Sequence, residues 1–124
     1  MRLIAVTLIA LLWAGAAVAE GASSLYVLVY RQGPAWQVDK PMGAQPSIRA
    51  HGAYMKKLFD AGVSFAAGPT TDVPGGVIIV RAASLDEAKA LMTADPGVSS
   101  GMFLGEVHAW TPVFRSDQPL PKGR

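Results

Sequence analysis

The residues whose types and settings point to proton chemistry are His51, Asp72 and the pair Glu106 and His108. His51 lies in RAHGAYMKKLFDAG, residues 49–62, a stretch with the period of an amphipathic helix. At about 100° per residue, Tyr54, Met55 and Leu58 fall within about 60° of His51, while Arg49, Lys56, Lys57 and Asp60 fall on the opposite half. An imidazole centred on an apolar stripe is either a core residue bonded to a backbone carbonyl or an acid and base for something bound at the rim of that layer. Gly52 beside it costs a helix on the order of 1 kcal/mol relative to alanine, which predicts close packing or mobility at that point. Asp72, in AAGPTTDVPGG, reads as a turn aspartate bonding its own backbone or as a second polar group of a site. Glu106 and His108 lie two apart on an expected strand and share a face with Met102, Leu104 and Trp110, which suits an interface, a pocket lining or a polar patch on a partly exposed strand.

Other chemistries lack their residues. The chain has no cysteine, so disulfides, thiolate nucleophiles and iron–sulfur ligation are excluded. Its two histidines form no H-x-H or H-x-x-x-H pair, and no structural zinc site is expected. Gly75 and Gly76 enter a strand rather than a strand–loop–helix turn, so they do not make a phosphate loop. Ser23, Ser99 and Ser100 sit in no nucleophile-elbow motif, and no organic cofactor is implied.

The 124 residues are enough for one domain and too few for two. Residues 1–19, MRLIAVTLIALLWAGAAVA, have Arg2 first, an uncharged apolar run and a small-residue A-x-A site, the layout of a secretory signal peptide cleaved after Ala19. Cleavage takes one of the 11 Lys plus Arg, leaving 10 against 9 Asp plus Glu, a net charge near zero. With no basic stripe interleaved with aromatics, a nucleic-acid partner is not expected. The expected location is periplasmic or secreted, with no stable membrane anchor once the leader is removed.

SLYVLVYRQ, residues 24–32, is apolar on both parities and predicts a strand buried on both faces. Residues 33–46 carry three prolines and two glycines and predict a long loop. The helix follows from about Ser47 to Ala61, with Gly62 past its end. Two strands over 63–69 and 75–83 flank a turn. Ser84 and Glu87 form a capping box opening a second helix, which Asp95-Pro96-Gly97 stops, and residues 101–114 predict a last strand. This β-α-β-β-α-β order is the ferredoxin-like arrangement, an α+β fold with a four-stranded antiparallel sheet carrying both helices on one face. The other face, equally apolar, predicts a homodimer in which a second copy covers it. Residues 20–114 would form this domain, and residues 115–124 a flexible tail.

In this order and spacing, a histidine opening the first helix, AGP followed by an aspartate, a glycine pair opening the third strand, S-x-D-E-A and DP bounding the second helix, and a late tryptophan resemble the YCII-related domain family of the dimeric α/β barrel class. The resemblance implies an active site of His51 and Asp72, in which the carboxylate fixes the imidazole tautomer and the other nitrogen takes a proton from substrate. It suggests lyase, dehydrohalogenase or isomerase chemistry on a small cyclic or aromatic molecule, with Tyr54, Met55, Phe65 and Trp110 as the apolar wall. The alternative is a non-catalytic periplasmic small-molecule binding or accessory module on the same fold.

Overall fold

The computed structural model describes residues 24–119; the expected signal peptide lies outside them, as does the end of the tail. The elements are β1 (Ser24–Gln32), α1 (Ile48–Asp60), β2 (Ser64–Pro69), β3 (Gly75–Ala82), α2 (Leu85–Thr93), α3 (Pro96–Ser99) and β4 (Phe103–Trp110). The four strands form one antiparallel sheet in the order β2-β3-β1-β4, the ferredoxin-like arrangement that the element order predicts. No helix among the described residues is long and apolar enough to cross a membrane.

Side chains alternate across the sheet, and the pairing register sorts them into two faces. Tyr26, Leu28 and Tyr30 of β1 and Ile78, Val80 and Ala82 of β3 point to the helices and are buried, with Ala88 and Met92 of α2 packed on them. At Gly105, level with Tyr30 on the neighbouring strand, a Cβ would run into the Met92 side chain, so this glycine lets α2 lie close on β4. The opposite face carries Leu25, Val27 and Val29 beside Ile79 and Val77 on one flank and His108 and Glu106 on the other. Val29, Val77, Phe65, Leu104 and Trp110 on this face are each more than a third exposed.

Local chemistry sets the element ends. The Ser84 hydroxyl accepts the Glu87 N–H at 3.1 Å, and the Glu87 carboxylate accepts the Ala83 N–H at 2.6 Å, which completes the expected capping box with the acid reaching one residue further back. Gly62 leaves α1 at φ 69°, a conformation open to glycine at little cost. The 33–46 segment is a loop, pinned at several points. Gly33 and Ala35 donate to the carbonyls of Met102 and Gly101, and a 3-10 turn spans Met42–Ala44. The buried Gln45 carboxamide accepts the Gln37 N–H at 2.9 Å and donates to the Gln37 and Lys40 carbonyls.

Candidate active site

α1 presents Ile48, His51 and Met55 along one face, the i, i+3, i+7 spacing that brings side chains of successive turns together. The His51 Nδ1 meets both carboxylate oxygens of Asp95, at 3.0 and 2.8 Å. The carboxylate is fully buried and the imidazole 17% exposed. Asp95 is held from a second side because it is the N-cap of α3, where its Oδ1 accepts the Gly97 N–H at 2.8 Å. Pro96 at the first position of α3 has its φ preset for the helix and lacks an N–H that would need a partner. One side chain therefore starts a helix and orients an imidazole.

Aromatic rings brace the histidine. The Phe103 ring lies 5.1 Å from the imidazole and the Tyr30 ring 5.5 Å, both edge-to-face, and Trp36 packs on Phe103 at 5.7 Å. The Tyr30 hydroxyl is buried, with no hydrogen-bond partner among the described residues. Burial above all, and the nearby Asp95 charge, hold its phenol far above the usual tyrosine range, so it stays protonated.

His51 lines a cavity of about 270 Å³ between α1 and the β2–β3 hairpin, with Met42 of the long loop at one side and Ala67, Pro69 and Gly76 opposite. With Nδ1 committed to Asp95, Nε2 is the ring nitrogen left for a bound molecule. The arrangement has the parts of a general acid–base centre: an oriented imidazole, a buried carboxylate that fixes its tautomer, and a mostly apolar chamber beside it.

The structure revises several residue assignments. The carboxylate at His51 is Asp95, not Asp72. Asp72 is exposed in the β2–β3 turn and lines a separate hollow of about 350 Å³ with Trp36, Lys40 and Thr71; the two hollows share Met42. Of the four expected wall residues, only Met55 lines the cavity. Tyr54 turns toward α2, where its hydroxyl donates to the Leu91 carbonyl at 2.9 Å. A register shift between Ser64 and Ala66 leaves Phe65 exposed, where Arg81 covers its ring at 5.3 Å. Trp110 pairs with Leu25 on the helix-free face. Glu106 and His108 lie on that face too, with Glu106 paired to Arg31 at 2.9 Å and 3.6 Å from His108, while Met102, expected beside them, precedes β4 and is buried. The sequence does not mark Asp95 as a site residue, because Asp-Pro-Gly after a helix reads as a stop; the same tripeptide also matches an N-cap with proline at the first helical position, which is the signal it does carry.

Comparison with known proteins places this geometry in context. The model of the YCII-related domain matches residues 24–111. Among solved structures, the chain is similar to the 5-chloro-2-hydroxyhydroquinone dehydrochlorinase (TftG) from Burkholderia phenoliruptrix AC1100, in complex with 2,5-dihydroxybenzoquinone, at 25% identity over 69% of this chain and 93% of that one, with a TM-score of 0.49. No curated protein matches.

Proposed function

The chain belongs to the YCII-related domain family, and from the geometry around His51 we propose that it performs general acid–base catalysis on a small cyclic or aromatic molecule bound between α1 and the β2–β3 hairpin. The observation that carries this reading is the His51–Asp95 pair at the wall of the cavity. His51 Nε2 takes a proton from a carbon or hydroxyl of the bound molecule. The Asp95 carboxylate, fully desolvated and 2.8 Å from Nδ1, stabilises the imidazolium that forms. In an isomerase the same nitrogen returns the proton at another carbon; in a lyase the electrons of the broken C–H bond form a double bond as the bond to a neighbouring group breaks, and that group leaves with its electron pair and takes up the proton. The functional unit in this reading is an exported two-fold dimer joined through the apolar sheet face, after removal of residues 1–19.

The test begins with the imidazole. Long-range 15N–1H NMR of wild type should show the Nδ1–H form, altered by Asp95→Asn and untouched by Asp72→Asn. A panel of hydroxylated aromatics and cyclic ketones in D2O is then followed for catalysed proton exchange. His51→Gln should slow that exchange by about 10²–10⁴-fold, the usual weight of a positioned acid–base group. Binding to His51 without exchange would favour the non-catalytic module. No binding by any member of the panel would remove the reading.

A further inference from the structure

From the wall of this cavity we infer that Gly52 is a specificity-determining residue, whose missing side chain leaves room for a second fused ring in an uncharged, flat ligand. The inference rests on the reading of the cavity as an acid–base site and adds the shape and charge of what it takes. Gly52 stands in the middle of the cavity-facing surface of α1, four residues after Ile48 and three before Met55, all of which line the chamber. Those spacings place the three residues side by side on one helix surface, so a side chain at position 52 would close the gap between the other two.

Nothing in the packing calls for glycine there. A Cβ built on Gly52 meets nothing within 4 Å among the described residues beyond its own helix backbone and chain neighbours, whereas one on Gly75 or Gly76 runs into backbone of the neighbouring strands. Those two glycines are required by the sheet, while Gly52 costs its helix stability with no contact in return. Gly52 is itself exposed, so the space beyond it is the open mouth of the cavity, where a ligand larger than the enclosed part can extend beside the oriented imidazole. The opposite wall is equally low. Ala67, Pro69 and Gly76 face the helix there by register with Ile78 and Tyr30, and none has a long side chain.

Charge narrows the class further. No Lys, Arg, Asp or Glu side chain is among the described residues lining the cavity, and His51 and Tyr30 are the lining residues with polar side-chain atoms. A carboxylate or phosphate would lose its water there without gaining a cation, so the ligand is neutral and holds His51 through one hydroxyl. An apolar cavity of about 150 Å³ accommodates benzene; at about 270 Å³ this one has space for a second ring, and Gly52 borders it.

The test compares phenol, 1-naphthol and benzoate by titration calorimetry against the full mature chain, with thermal melts of each variant. Wild type should bind both neutral rings and not benzoate. Gly52→Leu should keep phenol and weaken 1-naphthol by about tenfold or more, the scale on which a pocket rejects a group it cannot fit. Gly52→Ala should raise the melting temperature while weakening 1-naphthol, moving stability and binding in opposite directions; it carries the comparison if the leucine variant does not fold. Equal 1-naphthol affinity in wild type and variants, or a lower melting temperature for Gly52→Ala, would overturn the inference and leave the acid–base reading standing. Binding of benzoate as tight as phenol would overturn the charge argument. If wild type binds neither neutral ring, both fall together.

Discussion

Asp95 is the residue on which the site turns, because two N–H groups converge on one buried carboxylate: His51 Nδ1, within reach of both oxygens, and the Gly97 backbone. Tyr30 beside it makes a different commitment: a hydroxyl sealed from water with no hydrogen-bond partner among the described residues, which costs stability. Its proton is held in the folded state well beyond the ordinary range by burial and Asp95, and Tyr54 is shifted the same way by the same two causes. The unfolded chain releases these protons near the usual value of about 10. Stability is therefore at its full value below that pH and falls as pH rises above it, because only the unfolded state gains by ionising. Tyr30→Phe should match or exceed wild type in urea melts at neutral pH and lose less stability at alkaline pH. An identical alkaline loss in both proteins would remove Tyr30 as the cause. His51 was legible from helical phase, since the 3.6-residue period alone puts it inward. Its partner was not, because Asp95 is 44 residues away and only the corner between α2 and α3 brings it back. Phase also placed Tyr54 inward, without saying that inward at that angle meant the Leu91 carbonyl and not the cavity.

At the scale of elements, the ends are governed by short-range chemistry, and there the sequence reads almost directly. Ser84 and Glu87 bond the backbone across one helical turn, so the start of α2 follows from four adjacent residues. Ser84→Ala should lower the unfolding free energy by about 1 kcal/mol, within the usual range for an N-cap, measured by denaturant melts. An unchanged midpoint would show that tertiary packing fixes this end regardless. The β2 strand shows the opposite case. One irregular residue between Ser64 and Ala66 reverses which side Phe65 occupies, and alternation alone cannot announce such a bulge. The long loop likewise looked unconstrained by composition, yet Gln45 anchors it through three hydrogen bonds that no local pattern encodes.

For the whole molecule, the unmatched feature is the helix-free sheet face, where Val27 and Ile79 stand side by side at the centre and Arg31 and Glu106 pair toward one end. Contiguous apolar surface on this scale marks an interaction site, and a second copy of the same face is the occupant we propose. Ile79→Lys places a charge at that centre without touching the buried side of the sheet, so it should shift the protein to monomer in sedimentation while leaving its far-UV spectrum unchanged. A wild-type protein that sediments as a monomer at micromolar concentration would sink the dimer.

The strand order has a further consequence in time. β1 occupies an interior place in the sheet, yet both of its neighbours come from the far half of the polypeptide: Leu25 faces Arg81 on one side and Trp110 on the other. During synthesis the most apolar strand emerges first and waits for β4, almost the last element, before it is flanked. Contacts so distant along the chain make folding slow. Until that release both edges of β1 stand open, and every neighbouring chain competes for them.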